Sequence, residues 1–193
     1  MTADEIAAFE RCIDEGGVVL FPADTVYGLA VDPDSREAVE RLYALKGRSA
    51  DRPAAVMLFD LDALPQLGAR TRAALERLLP GALTVLVPNP ERRWPLACGP
   101  SPERLGVRVP DIPGPSRPLL QSSANPSGGP DPSRLEDVDE RIRAGVDLAI
   151  DGGELPGTPS TVVDLTAYEE TGEFEIVRQG AVPADELASI LAV

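Results

Sequence analysis

Short apolar runs alternate along this chain with segments whose apolar residues recur at helical spacing, and Gly or Pro marks many of the changes. The apolar run at 18–21, closed by Pro22, is typical of a strand buried on both faces. At 35–45, by contrast, Val39, Leu42 and Leu45 recur every three residues and predict a helix. Helices interleaved with short strands predict an α/β layer fold. Long crossovers combined with closely spaced strands near the C-terminus favour a mixed sheet over a purely parallel one.

The same patterns predict the individual elements. Two capping boxes, at 2–5 and 133–136, mark helix starts, and the glycines at 16–17 mark the end of the first helix. Helices are predicted from the first capping box to about residue 15, then at 35–45, 71–79, 133–144 and 183–191. Strands are predicted at 18–21, 54–59, 83–87, 105–109, 119–120, 146–150, 161–165 and 174–178. Residues 23–28 are predicted to form a polar turn, and the proline-rich segment 88–118 a loop that wraps the core around one short strand.

Length and composition limit the class of protein. We expect residues 1–193 to form one globular domain, since typical domains hold roughly 100 to 200 residues. No apolar run approaches the ~20 residues that a membrane-spanning helix requires. The acidic N-terminus lacks the basic start and apolar stretch of a signal peptide, so we expect a cytoplasmic protein.

The chain contains no histidine and only two cysteines, Cys12 and Cys98. It therefore cannot build a Cys/His zinc site, a Ser-His-Asp triad or a Cys-His pair, and we expect no resident metal. Catalysis, if present, must use carboxylates, lysine, arginines, hydroxyls or groups of the substrate itself. The formal charge of −14 argues against broad binding of nucleic acid but permits a local basic pocket.

Lys46 is the only lysine in a chain that otherwise uses arginine for positive charge. An ammonium is a compact point charge with rotatable donors, which suits phosphate and differs from the planar guanidinium fork. Its position predicts that Lys46 lies where a helix gives way to a loop. A genome that has replaced nearly every lysine with arginine explains the composition equally well.

Several polar segments follow or precede apolar strands, as ligand-binding loops of α/β sheets do. They lie at 24–25, 122–125 and 157–161, and with Lys46, Arg48 and Arg52 they could form a pocket for an anion and a small polar molecule. The chain has neither a Walker loop nor a Gly-rich dinucleotide turn, so a nucleotide must be held another way. Each segment also has a structural interpretation, because Asn, Pro, Ser and Gly dominate ordinary turns.

Six motifs in order resemble one family. The family's P-T-E/D-T-V-Y-G-L element is similar to residues 22–29, its K-x-R segment before a proline to residues 46–53, and its V-R-x-P to residues 107–110. Its S-A-N-x-S-G is similar to residues 123–128, its P-S-T-V-V-D to residues 159–164 and its R-P/Q-G to residues 178–180. On these motifs the chain resembles the YrdC-like family of threonylcarbamoyl-AMP synthases, in its short bacterial form.

The resemblance implies a YrdC/RibB-like fold, a twisted mixed open sheet flanked by helices around a concave, positively charged cavity. It implies a nucleotidyltransferase that joins L-threonine, bicarbonate and ATP into threonylcarbamoyl-AMP and releases pyrophosphate. That product serves threonylcarbamoyladenosine formation at position 37 of tRNA, which partner proteins would complete. ATP would be a substrate, with Mg²⁺ carried on its phosphates. Little or no direct binding to nucleic acid and none to membranes is expected.

The resemblance also implies roles for individual residues. By motif, the residues that would hold threonine are Thr25, Arg108, Ser123 and Ser160. The residues that would hold ATP are Lys46, Arg48, Arg52, Asn125, Ser133 and Arg178. Lys46 and Arg48 would in addition stabilise the charge that builds on the phosphates during the reaction.

The chain departs from the family pattern at three positions. Met57 stands where the family usually has a histidine beside threonine, Arg52 where asparagine or lysine is frequent, and Gln179 where many members have proline. Loss of the histidine could shift the substrate. Two other functions are therefore considered, an RNA-binding or regulatory module that keeps the cavity and an enzyme that uses carbamoyl phosphate.

Overall fold

A computed structural model describes residues 1–49 and 51–192 as a mixed α/β fold. In this part of the chain nine strands form one sheet. The strands are β1 Val19–Pro22, β2 Tyr27–Val31, β3 Ala55–Met57, β4 Leu83–Pro88, β5 Arg104–Arg108, β6 Leu119–Ser123, β7 Leu148–Ala149, β8 Thr161–Asp164 and β9 Glu175–Arg178. The helices are α1 Ala3–Asp14, α2 Arg36–Lys46, α3 Ala69–Leu78, α4 Pro95–Cys98, α5 Glu140–Gly145, α6 Tyr168–Thr171 and α7 Ala184–Leu191. None of the helices within these residues is long and apolar enough to cross a membrane.

The strand order across the sheet is β7-β1-β2-β6-β3-β5-β4-β8-β9. The pairs β1–β7, β3–β5 and β4–β8 are parallel, and the other neighbouring pairs are antiparallel. The prediction of a mixed sheet is therefore confirmed.

The two faces of the sheet are covered differently. Alternate residues of each strand point to opposite faces, and Val56 of β3 belongs to the larger apolar cluster, which packs against α2, α3 and α7. Met57, next in the same strand, belongs to a smaller cluster that includes Phe9 of α1, Phe21 and Leu119. Helix α1 thus covers one part of the second face and leaves the part over β3, β5, β4 and β8 for a cavity.

Local capping signals place α1 and α2 as predicted. The Thr2 hydroxyl and the Glu5 carboxylate form the reciprocal capping box that opens α1. Ser35 accepts a hydrogen bond from the main-chain N–H of Ala38 at the start of α2, and Gly47, with φ of 57°, ends that helix in the left-handed conformation. Lys46 is consequently the last residue of α2, at the helix exit that the sequence predicts.

Three predictions about elements are wrong or incomplete. Residues 23–28 are not wholly a turn, because β2 begins at Tyr27. The segment 88–118 is largely loop around one short strand, as predicted, but it also contains the unpredicted α4, and its strand β5 lies inside the sheet between β3 and β4. Strand pairing on both sides of β5 outweighs the local effect of the flanking prolines.

The capping box predicted at 133–136 does not open a helix. The Asp137 carboxylate accepts hydrogen bonds from the main-chain N–H of Arg134, at 3.1 Å, and from the Ser133 hydroxyl, at 3.3 Å. This closes a single 3₁₀ turn over Leu135–Asp137. Helix α5 begins only at Glu140, with Asp139 as its N-cap.

Candidate functional site

A concave cavity of about 590 Å³ lies on the α1 side of the sheet. Its floor includes a row of residues in register on four neighbouring strands, Gln121, Ala55, Gly106 and Leu86. The cavity has an exposed outer end, lined by the segments 51–53 and 100–101 together with Arg104. Its inner end is lined by the buried side chains of Arg108 and Ser160, with Thr84 beside them.

Six of the residues that the motifs predict for the site line this cavity. They are Arg48, Arg52, Arg108, Ser123, Ser160 and Arg178. The segment that carries Arg48 and the turn at 122–125 face one another across it, since Arg48 Nη1 lies 3.4 Å from the Ser122 hydroxyl. The sequence prediction that these distant segments share one hollow is confirmed for these residues.

Lys46 lies behind the cavity wall. Its side chain is buried, and its ammonium donates to the carbonyl of Ser123, to the carbonyl of Asn125 at 2.8 Å and to Asn125 Oδ1 at 3.1 Å. Burial, followed by the nearby Arg48 charge, lowers the pKa of Lys46 to about 8, and Asp131 opposes this effect. In this arrangement the ammonium of Lys46 holds the 123–125 turn.

The turn itself is closed by the side chain of Asn125. Its Oδ1 accepts a hydrogen bond from the Ser123 hydroxyl at 2.6 Å, and its Nδ2 donates to the Gly129 carbonyl at 2.6 Å. The main-chain N–H of Ser127 donates to the Lys46 carbonyl at 2.8 Å, which ties the turn to the end of α2. Ser123 reaches the cavity, whereas Asn125 is buried beneath its wall.

At the inner end, Arg108 forms a buried ion pair with Asp24, with 2.5 Å between Nη2 and Oδ1. The same carboxylate oxygen accepts a hydrogen bond from the main-chain N–H of Thr25 at 2.8 Å. Burial lowers the pKa of Arg108 and Asp24 opposes that shift. Among the described residues, Nε of Arg108 and Nε of Arg48 are buried without a hydrogen-bond partner.

Ser160 and Arg178 meet beside this ion pair. Arg178 Nη2 donates to the Ser160 carbonyl at 2.7 Å, and the Ser160 hydroxyl lies 2.9 Å from the Thr84 hydroxyl. The hydroxyl of Thr161 donates to the Val182 carbonyl at 2.7 Å and fixes the following chain. These bonds hold the 159–161 segment against β9 at the inner end of the cavity.

Thr25 and Ser133 do not line the cavity. Thr25 is buried, its hydroxyl lies 3.3 Å from Asp24 Oδ1, and its carbonyl accepts from Gly157 N. The Ser133 carbonyl accepts from Leu155 N at 2.8 Å. Both residues therefore flank the 151–160 segment, which lacks regular secondary structure and ends at Ser160.

The positions of two residues, Met57 and Arg104, differ from what the motifs predict for the site. Met57, which the resemblance predicts to stand where the family usually has a histidine beside threonine, is fully buried in the α1-side cluster and does not line the cavity. Arg104 lines the cavity although no motif contains it. The sequence signal that could have identified Arg104 is the alternation of side chains along a strand, which puts Arg104, Gly106 and Arg108 on one face of β5.

Comparison with known proteins places the chain among related sequences and structures. The Sua5_yciO_yrdC family model, described as telomere recombination, matches residues 11–180. A threonylcarbamoyl-AMP synthase of Pyrococcus abyssi is 32% identical over 191 residues, covering 93% of this chain and 55% of the relative. One of Chromohalobacter salexigens is 35% identical over 181 residues, covering 87% and 96%. The chain thus spans about half the length of the first relative and nearly all of the second.

A solved structure gives the same relationship in three dimensions. The crystal structure of P. abyssi Sua5 complexed with L-threonine superposes with a TM-score of 0.86 at 29% sequence identity. The match covers 98% of this chain and 58% of that one.

Proposed function

Because the chain belongs to the Sua5, YciO and YrdC family, we propose that it synthesises threonylcarbamoyl-AMP from L-threonine, bicarbonate and ATP with release of pyrophosphate. The supporting observation is one cavity that Arg48 and Arg52 line from the segment between α2 and β3 and that Arg108 lines from β5, together with Ser123 and Ser160. Such a cavity suits two anionic substrates held side by side. We further propose that residues 1–193 act as one domain.

In this reaction the amine of threonine attacks bicarbonate, which loses water, or carbon dioxide, in which case the amine releases a proton, and a carbamate forms. An oxygen of the carbamate then attacks the α-phosphorus of ATP in line, and pyrophosphate leaves. The protein mainly needs to position the two anions and stabilise the charge that develops on the phosphates. Such chemistry does not require an imidazole base, which is consistent with a chain without histidine.

We assign threonine to the inner end of the cavity. Arg108 would bind its carboxylate, with Ser160 beside it and Thr25 fixing Asp24 from behind. Ser123 would contact the amino acid from the opposite wall. Asp24 already neutralises part of the Arg108 charge, and the guanidinium N–H groups that do not bond Asp24 would serve the bound carboxylate.

We assign ATP to the side of the cavity lined by the remaining arginines. Arg48 and Arg52 would bind phosphate oxygens directly, and Arg178 would contact the nucleotide where it meets Ser160. Lys46 and Asn125 would act through the 123–125 turn, and Ser133 through the 151–160 segment. Lys46 would also contribute its charge from behind the wall. Mg²⁺ would arrive with the phosphates of ATP.

The product would pass to partner proteins that complete threonylcarbamoyladenosine at position 37 of tRNA in the cytoplasm. We propose no more than weak direct binding to tRNA, because the chain has a formal charge of −14.

The deciding experiment is detection of threonylcarbamoyl-AMP by mass after mixing the purified protein with ATP, L-threonine, bicarbonate and Mg²⁺. Arg48→Ala should abolish the product, whereas Arg41→Ala, on the exposed side of α2, should not. A protein that binds ATP but releases no pyrophosphate with threonine would contradict the proposal. Turnover that requires carbamoyl phosphate, or a salt-dependent shift of duplex RNA without adenylation, would support the alternatives.

A further inference from the structure

We propose that Gln121, on the floor of the cavity, binds the bicarbonate from which the carbamate forms. This inference rests on the proposed function and adds to it a binding group for the third substrate. The amide of Gln121 would donate a hydrogen bond to an oxygen of bicarbonate. After the C–N bond has formed, it would donate to the same oxygen of the carbamate.

The burial of Gln121 carries the first step. Gln121 is only 3% exposed and lines the cavity, whereas its neighbours in register on the floor, Ala55, Gly106 and Leu86, have no polar side-chain atoms. Within residues 1–49 and 51–192 its side-chain amide forms no hydrogen bond, and it is not among the polar atoms sealed from solvent. The amide is therefore open to the cavity. Burying an amide without a partner costs free energy, which a ligand that bonds it would offset.

The direction of the side chain carries the second step. An added Cβ at Gly28 would lie 2.6 Å from Gln121 Nε2 and 3.4 Å from the Cβ of Ala23, so the amide lies above a residue that must be small. Gly28 pairs with Ser123 across β2 and β6, and Ala23 directly precedes the carboxylate that pairs with Arg108. The amide thus lies beside the residues that we assign to threonine, away from the exposed outer end.

The hydroxyl of Ser123 carries the third step. It donates its proton to Asn125 Oδ1 at 2.6 Å, so its oxygen can act towards a ligand only as an acceptor. An acceptor suits an N–H of the threonine amine, whereas Nε2 of Gln121 supplies donors for an oxygen. The two residues are two positions apart on one face of β6, with Cα atoms roughly 7 Å from each other. They could therefore hold the amine next to the carbon that it attacks.

The step that Gln121 would assist is balanced without a further reagent. The unprotonated amine of threonine forms a bond to the carbon of bicarbonate, and the hydroxyl group of bicarbonate leaves as water with one proton of the amine. The single negative charge of bicarbonate remains on the carbamate. Charge builds on the oxygen of the attacked carbon during this step, and a donor fixed at Nε2 would stabilise it. A neutral amide suits this role, because a carboxylate at the same place would repel the anion.

Nuclear magnetic resonance of the side-chain amides tests binding without turnover. The chain has only five such groups, those of Gln66, Asn89, Gln121, Asn125 and Gln179, so single substitutions can assign the signals. Sodium bicarbonate, added with L-threonine present, should shift the Nε2 signal of Gln121, and sodium chloride at equal ionic strength should not. Gln66 is the internal control, since it is exposed and lies outside the cavity.

Steady-state kinetics test the role in the reaction. Gln121→Leu should raise the KM for bicarbonate about tenfold or more, because a hydrogen bond to a charged group is lost, and should change the KM values for threonine and ATP less than about twofold. Gln121→Glu should raise the KM for bicarbonate further. Gln66→Leu is the matched control and should leave all three values unchanged. Since the buried amide has no partner in the fold, Gln121→Leu should keep or raise the melting temperature.

A Gln121 signal that does not respond to bicarbonate would overturn the inference, and so would a KM for bicarbonate equal to wild type in folded Gln121→Leu. A lower melting temperature with an equal rise in all three KM values would show that Gln121 is structural, which also overturns it. If the Gln121 signal responds to bicarbonate but no threonylcarbamoyl-AMP forms in the mass assay, the bicarbonate site stands and the proposed function fails.

Discussion

The ammonium nitrogen of Lys46 lies 2.8 Å from the main-chain carbonyl oxygen of Asn125, which joins the last residue of α2 to the turn that follows β6. The two segments are 79 residues apart in the sequence. Two further acceptors, the Ser123 carbonyl and Asn125 Oδ1, complete the set around the same nitrogen. A guanidinium is planar and could not direct three N–H groups from one atom, so this position favours lysine in a chain otherwise rich in arginine.

Replacement of Lys46 by Met should destabilise the protein by about 2 kcal/mol at pH 7. The carbonyls of Ser123 and Asn125 would lose the donor that Lys46 supplies, at a cost of about 1 to 3 kcal/mol each, whereas Asn125 Oδ1 keeps its hydrogen bond from the Ser123 hydroxyl. Against this, the difference between the pKa of about 8 and the ordinary 10.5 corresponds to about 3 kcal/mol that burial of the charge already costs. Urea unfolding measures the net effect, and hydrogen exchange at Ser127 N should accelerate. Unchanged stability and exchange would refute the bracing role of Lys46.

The pH dependence of activity and of stability should diverge because of Lys46. Its pKa is lowered to about 8 in the fold, so between about pH 8 and 10.5 the unfolded chain binds more protons than the native one. The contribution of Lys46 to stability, taken as wild type minus Lys46→Met, should therefore rise with pH in that window. The rate of threonylcarbamoyl-AMP formation should fall as pH rises through about 8, because the ammonium charge is lost. A rate that is flat to pH 10 would contradict this.

The pair formed by Asp24 and Arg108 should behave as one unit in a double-mutant cycle. Asp24→Asn keeps the acceptor for Thr25 N but removes the charge opposite a buried guanidinium, and such a loss costs about 3 to 5 kcal/mol. Arg108→Met should cost a similar amount. The double variant should be more stable than the sum of the two changes predicts, by about 2 kcal/mol. Chemical unfolding of the four proteins measures this coupling, and additive losses would show that the ion pair carries no energy of its own.

The elements that sequence predicts well are those with local signals. The side chains of Thr2 and Ser35 cap the starts of α1 and α2, and Gly47, which has no side chain, ends α2. The structure has these helix ends where the sequence pattern predicts them. The pattern predicts a short strand at 105–109 but not its place between β3 and β4, because that place depends on pairing with residues far away in the chain.

In the candidate site, too, local motifs are predicted well and positions that depend on long-range packing are not. The resemblance to the family is confirmed, and the motifs contain four of the five arginines that line the cavity in the described part of the chain. The motifs do not indicate that Lys46 faces a turn instead of the open cavity, because the orientation of its side chain depends on how deeply α2 packs. Arg104 belongs to no motif, and only the alternation of β5 could have linked it to Arg108.

The hydroxyl of Tyr27 should control the 151–160 segment that ends at Ser160. It accepts a hydrogen bond from Gly152 N at 2.9 Å and lies 3.0 Å from Asp151 Oδ1 and 2.9 Å from the Gly153 carbonyl. Tyr27→Phe leaves these groups without their partner and should cost about 1 to 3 kcal/mol. Because a looser segment would hold Ser160 less firmly, the KM for threonine should rise while the KM for ATP changes less. Tyr168→Phe is the matched control, since that hydroxyl bonds the Leu191 carbonyl at 3.2 Å, away from the cavity. If both variants lose stability to the same extent and neither changes the KM for threonine, Tyr27 has no role in positioning Ser160.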